Sequence, residues 1–62
     1  MNKFIEILDT HGSVFYVNTE HIIKFYTCSY DKVKVTRIIL TNGGGMIDSC
    51  LTTQELWSLI QC

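Results

Sequence analysis

The hydrophobic residues of this chain come in short runs, five of which are rich in β-branched or aromatic side chains and end at polar turn residues. Such runs are typical of β-strands. The strongest is Val33–Leu40, and its nearly continuous apolar end predicts a central strand of a sheet. Four further strands are predicted in the same way: Lys3–Asp9, Val14–Val17, His21–Tyr26 and Met46–Cys50.

Alternation along each run predicts which side chains share a face of the sheet. Both faces of the first strand are largely apolar, so one is expected on the core and the other against a helix or a subunit. In the third strand, Ile23 and Phe25 are expected on one face and Ile22 on the other. The alternation in Val33–Leu40 slips midway, which predicts either a β-bulge near Thr36–Arg37 or burial on both faces of the far end.

The connections between the predicted strands are short and polar. Gly12 suits a positive φ in a tight turn. Asn18–Glu20 is expected to turn the chain. Thr27–Lys32 is expected to form a hairpin loop, into which strand pairing can extend. The Asn-Gly pair that opens Asn42–Gly45 is a strong signal for a type I′ hairpin.

The C-terminal segment has the period of a helix, predicted over Thr53–Ile60. Thr52 and Glu55 have the spacing of a capping box, and Leu51 can form a hydrophobic staple with Leu56. A helix of about two turns is not stable alone, so it must dock on the sheet. The predicted fold is therefore α+β, with four or five antiparallel strands in a twisted sheet or partial barrel and one C-terminal helix.

Sixty-two residues form one small domain, yet 47% of them are hydrophobic. A chain of this length buries only about 60% of its unfolded surface, so some apolar area is expected outside the core. A contiguous exposed patch usually marks an interface. We therefore expect a homo-oligomer or a protein partner. The contact is expected at strand edges, which carry no proline, or at the helix, with Trp57, Ile60 and Phe4 as interface residues.

The net charge of −1 gives the whole chain no basic character, but four of its five basic residues cluster between positions 24 and 37 in the central hairpin. They interleave with tyrosines, which can anchor interfaces or stack on bases. One interpretation is solvated strand faces with ordinary cross-strand pairs. The other is a patch for an anionic small ligand or nucleic acid. The residues of that patch would be Lys24, Tyr26, Tyr30, Lys34 and Arg37.

Catalytic and metal-binding patterns are not found in the sequence. His11 and His21 fall at strand ends, and no spacing couples either of them to a nucleophile. Two histidines and three scattered cysteines do not have metal-ligand spacing, and no cofactor motif is present. The odd cysteine count without a signal peptide predicts reduced thiols and a cytoplasmic location, in a bacterium or an infected host cell. No apolar run is long enough to span a membrane.

The chain has a short hairpin, an aliphatic strand ending in Leu-Thr-Asn-Gly, a further strand and a capped C-terminal helix. The distinctive residues of this order are Val17–Asn18 with Ile22, Ile39–Gly43, and Glu55–Leu56 with Ile60. In these residues the chain resembles the small FlbD-like flagellar family and related short bacterial and phage proteins. The resemblance implies a sheet with one C-terminal helix and no enzymatic activity, and it implies no particular binding residue. The expected function is a non-catalytic module that self-associates, acting as an accessory or inhibitor protein. The alternative is a homo-oligomer that sequesters a nucleotide or single-stranded nucleic acid.

Overall fold

The computed structural model describes residues 3–41 and 45–61, and these form two antiparallel sheets and a C-terminal helix. β1 pairs with β2, and β4 lies between β3 and β5 in the second sheet. The prediction of an α+β fold with a central Val33–Leu40 strand is confirmed. The predicted type I′ turn falls on residues 42–44, which lie outside the described ranges. The elements are β1 (Phe4–Leu8), β2 (Val14–Asn18), a 3₁₀ turn (Thr19–His21), β3 (Ile22–Tyr30), β4 (Val33–Leu40), β5 (Met46–Ser49) and α1 (Thr53–Gln61).

The two sheets are joined at one corner, where the end of β1 meets the end of β5. Asp9 forms an isolated antiparallel bridge with Ser49. The Thr10 N–H donates to the Asp48 carbonyl at 3.1 Å, and the Cys50 N–H donates to the Leu8 carbonyl at 3.3 Å. These bonds hold the inner faces of both sheets toward one core.

That core is small and consists of aliphatic side chains from both sheets and the helix. Alternation in β1 turns Ile5 and Ile7 inward, and Leu56 on α1 is fully buried against them. Phe25 and Ile22 on β3 pack at its margin. The buried hydrophobic residues are Ile5, Ile7, Val17, Val35, Ile38 and Leu56.

The hairpin between β3 and β4 is tighter than the predicted loop over Thr27–Lys32. β3 continues to Tyr30, which pairs with Val33, so only Asp31 and Lys32 remain in the turn. Their φ angles are 54° and 67°, in the left-handed region that a type I′ turn requires. Residues 27–30 therefore form a paired strand, with side chains alternating between the two faces of the sheet, and not a loop. The expectation that strand pairing can extend into this segment is confirmed, and the turn is limited to two residues.

The irregularity predicted at Thr36–Arg37 is found elsewhere. Pairing of β3 with β4 runs without interruption from Phe25–Ile38 to Tyr30–Val33, and the register shift lies between Ile22 and Lys24. The prediction of a bulge in β4 is therefore wrong. Burial on both faces is observed in the middle of the strand, for the neighbouring residues Val35 and Thr36. At the far end, Ile38 is buried, whereas Ile39 and Leu40 are half-buried.

This shift also corrects the predicted faces of β3. The bulge inserts Ile23, which is 60% exposed, so that Ile22 and Phe25 both reach the core. The expectation that Ile23 and Phe25 share a face was wrong, because a bulge advances the alternation by one residue.

The start of α1 follows the predicted capping box. The Glu55 N–H donates to Thr52 Oγ1 at 3.0 Å, and the Thr52 N–H donates to Glu55 Oε1 at 2.8 Å. Thr36 Oγ1 donates to the Leu51 carbonyl at 2.6 Å and thereby ties the residue before the cap to β4. Local sequence thus determines where the helix begins, and a buried β4 hydroxyl determines where it docks.

Candidate interaction surfaces

The outer face of the β1–β2 hairpin is an exposed and largely apolar surface. Because Ile5, Ile7 and Val17 face the core, the alternate residues of both strands face away from it. Cross-strand pairs set the face in three rows: Phe4 with Asn18, Glu6 with Tyr16, and Leu8 with Val14. We call these six residues the hairpin face.

Exposure on the hairpin face is large for apolar side chains in strands. Phe4 and Tyr16 are 62% and 68% exposed, and Leu8 and Val14 are 39% and 46% exposed. Glu6 is the one charged residue among the six and lies in the middle row. The hairpin face is thus an apolar strip with one carboxylate and one phenol at its centre.

The outer face of the three-stranded sheet carries an ion pair among exposed apolar side chains. Tyr26, Arg37 and Asp48 are cross-strand neighbours on this face, opposite the core-facing row of Phe25 and Ile38. Arg37 Nε donates to Asp48 Oδ1 at 2.8 Å, and Arg37 Nη2 donates to Asp48 Oδ2 at 3.1 Å. This bidentate bond raises the pKa of Arg37 and lowers the pKa of Asp48 below its ordinary value.

A shallow cleft lies beside this ion pair, where the β1–β2 connection approaches β5. Its volume is about 350 Å³, and its walls include Phe15, Tyr30, His11 and Met46 together with both ends of the ion pair. Tyr30 and Arg37 are the two predicted ligand residues that the cleft brings together. The positive charge available to a ligand there is reduced, because Asp48 already binds the guanidinium.

The five predicted ligand residues do not form one basic site. Register and alternation place Lys24, Tyr26, Tyr30 and Arg37 on the outer face of the three-stranded sheet, and Lys34 on the opposite face. Lys24 Nζ lies 6.0 Å from the centre of the Tyr26 ring, at the limit of a cation–π contact. The patch that the sequence places in one hairpin is therefore divided between two faces.

The three predicted interface residues also occupy different surroundings. Trp57 is 51% exposed, and its ring centre lies 6.4 Å from that of Phe25. Ile60 is partly buried against the core, and its carbonyl accepts a bond from Lys3 Nζ at 3.0 Å. Phe4 belongs to the hairpin face. Of the three, Phe4 and Trp57 present free apolar area.

His11, His21 and the two cysteines within the described ranges occupy turn and strand positions. His21 Nδ1 lies 3.2 Å from Thr41 Oγ1, and the backbone N–H of His11 donates to Asp9 Oδ1. Cys28 and Cys50 are free thiols. Within residues 3–41 and 45–61, no three histidine, cysteine or acidic side chains are grouped as metal ligands. No helix in these ranges has the length and apolarity needed to cross a membrane.

Two features of these surfaces were missed by reasoning from the sequence. The Arg37–Asp48 pair depends on the register of β4 with β5, and the hairpin face depends on which side of β1 meets the core. The alternation of Phe4 and Leu8 with Ile5 and Ile7 was visible in the sequence, but both faces of β1 read as apolar. The burial of Ile5 and Ile7 decides between them.

Comparison of the chain with protein-family models, with curated proteins and with solved structures found no match.

Proposed function

We propose that this chain is a non-catalytic protein-interaction module that forms homo-oligomers. The observation that carries the proposal is the balance of buried and exposed apolar residues. Among residues 3–41 and 45–61, six hydrophobic residues are buried, whereas eleven large ones are exposed. A domain with so small a core has little stability in reserve, and association supplies further apolar burial.

The magnitude of that burial is large relative to the stability of a small domain. Phe4 is 62% exposed, and an aromatic side chain presents roughly 200 Å². Covering its exposed part removes roughly 120 Å² from water, worth about 3 kcal/mol before the costs of association. Before those costs, a few such residues at one contact contribute a free energy comparable to the stability expected of the isolated chain.

The resemblance to the FlbD-like family and to related short phage proteins supports an accessory or inhibitory role in a bacterium or a phage. The free thiols of Cys28 and Cys50 support a cytoplasmic location, because reduced cysteines are usual in that compartment. Both assignments belong to the proposal.

Sequestration of an anionic ligand has less support than self-association. Arg37 is already bound by Asp48, and Lys34 lies on the face opposite Lys24. A nucleotide or oligonucleotide that raises the melting temperature of the native protein would restore this alternative. Simultaneous substitution of Lys24, Lys34 and Arg37 should then abolish the increase in melting temperature while the circular dichroism spectrum stays native.

Light scattering after size-exclusion chromatography tests the proposal. We expect a mass that is a multiple of 7.1 kDa at micromolar concentration and a melting temperature that rises with protein concentration. A folded species of 7.1 kDa whose melting temperature does not depend on concentration would refute self-association.

Trp57→Ala asks whether the helix provides the contact. Since Trp57 is half exposed, the substitution should leave the sheet folded. Dissociation of a folded subunit would make the helix an interface. Continued assembly would leave the sheet surfaces as the site of contact, whereas unfolding at every concentration would mean that Trp57 acts mainly through its packing on Phe25.

A further inference from the structure

The hairpin face is an apolar surface that the fold leaves uncovered. The outer face of the three-stranded sheet also exposes apolar side chains, but there they alternate with Lys24 and the Arg37–Asp48 pair. The cleft beside Arg37 is concave and partly charged, and Trp57 stands alone on the helix with its packing partner Phe25. On the hairpin face, by contrast, four exposed apolar side chains lie in adjacent rows of one two-stranded ribbon. Solvated antiparallel sheets usually carry polar residues on their outer face, so this apolar strip indicates a surface that binds a partner.

We propose that the occupant is the hairpin face of a second copy of this chain, packed face to face. The two-fold axis lies between the two copies and runs parallel to the strands, midway between β1 and β2. This inference rests on the proposed self-association and names its contact surface. An isologous contact of this kind uses the same patch on both subunits, so the patch must be complementary to itself.

The arrangement of the rows satisfies that requirement. A two-fold axis parallel to the strands exchanges the β1 and β2 positions within each row. It sets Glu6 opposite Tyr16 of the second copy, and Leu8 opposite Val14 of the second copy. The phenol O–H can then donate to the carboxylate at two equivalent places. The central charge therefore receives a partner when the contact excludes water, which a buried carboxylate requires.

The available area matches what a specific dimer needs. With roughly 200 Å² for each aromatic side chain, Phe4 and Tyr16 together expose roughly 260 Å². Leu8 and Val14 add roughly 80 Å², because a fully exposed side chain of this size presents roughly 100 Å² and they are 39% and 46% exposed. These four side chains offer roughly 340 Å² per copy. An interface of ordinary composition is about 60% apolar, so a contact built around them would cover roughly 550 Å² per copy and 1,100 Å² in total. That area is just above the roughly 1,000 Å² expected of a specific interface.

The central test compares two tyrosines that differ in location. Tyr16→Ser removes a 68% exposed tyrosine from the hairpin face, and Tyr30→Ser removes a 59% exposed tyrosine from the other sheet. Sedimentation equilibrium should show the dissociation constant of Tyr16→Ser raised by about 30-fold or more, as for a central aromatic anchor. Tyr30→Ser should stay within about threefold of the native value, as for a residue outside the contact.

A cysteine-pairing experiment tests the axis and does not depend on the stability of Tyr16→Ser. In a background with serine at the three native cysteines, copies carrying Leu8→Cys are mixed with copies carrying Val14→Cys and oxidised. The proposed axis predicts a disulfide-linked dimer in the mixture and much less in either variant alone. Linkage that is equal in all three samples would overturn the axis.

The outcomes separate this inference from the function on which it rests. A native chain that remains monomeric from micromolar to millimolar concentration would refute both the proposed self-association and the hairpin contact. Assembly that is equally sensitive to the two tyrosine substitutions, or sensitive to Tyr30→Ser alone, keeps self-association and overturns the hairpin contact. Assembly that is lost only in Trp57→Ala assigns the contact to the helix and likewise overturns it.

Discussion

Ser49→Ala should destabilise this protein more than any other removal of a single hydroxyl on its strands. Ser49 is fully buried at the corner where the two sheets meet. Its Oγ donates to the Leu8 carbonyl on β1 at 2.7 Å and accepts from the Leu51 N–H at 3.1 Å. One hydroxyl therefore links β1, β5 and the segment that leads into α1.

The expected loss can be assembled from these two bonds. Each contributes about 1 kcal/mol to stability, and leaving the Leu51 N–H without its acceptor adds a desolvation cost of about 1 kcal/mol. The Leu8 carbonyl still accepts from the Cys50 N–H, so no further cost is added there. The total is about 2–3 kcal/mol, or roughly 10–20 °C in melting temperature for a domain of this size.

Urea denaturation followed by circular dichroism measures this loss, at one fixed protein concentration because the chain is expected to associate. Ser29→Ala is the matched control, since Ser29 is exposed on β3 and should change stability by less than about 0.5 kcal/mol. A Ser49→Ala variant as stable as the control would refute the idea that this hydroxyl joins the sheets.

Four further changes have defined outcomes. Thr52→Ala should cost about 1 kcal/mol in thermal unfolding, because it removes the helix cap. Leu56→Ala should cost about 2–5 kcal/mol in the same assay, since Leu56 is fully buried. Lys32→Gly should stabilise the protein by about 0.5 kcal/mol in urea, because relief of the left-handed strain exceeds the entropy cost of glycine. Arg37 lowers the pKa of Asp48, so this pair contributes stability above about pH 4 that is lost as the pH falls through the lower folded pKa. Acid titration by circular dichroism should show that Asp48→Asn removes this dependence.

Features that depend on neighbouring residues were predictable from the sequence. The capping box needs only Thr52 and Glu55 at the right spacing, and both of its hydrogen bonds are present. Val33–Leu40 was recognised as a strand because it is rich in β-branched residues and is bounded by turn residues on both sides. The strand has those bounds. The α+β class followed from these elements.

Features that depend on register were not predictable from the same patterns. The turn at Asp31–Lys32 contains no glycine, so its left-handed backbone was not apparent, and four residues of β3 were assigned to a loop. The bulge at Ile23 appears only when β3 is aligned on β4. The predicted ligand set failed to converge for the same reason, because the alternation that joins Lys24 to Arg37 places Lys34 on the other face.

The number of layers explains why one surface is left apolar. A nine-residue helix can cover one face of a small sheet, and α1 covers the inner face of β3–β5 together with the core side of β1. The outer face of the three-stranded sheet is covered in part, because Val35 on that face is buried. The exposed Tyr30 and Val33 share this face with the Arg37–Asp48 pair, which is compatible with water. The outer face of the hairpin carries Phe4 and Tyr16, which are not stabilised by solvent. A second copy with the same strip is the simplest structure that covers them.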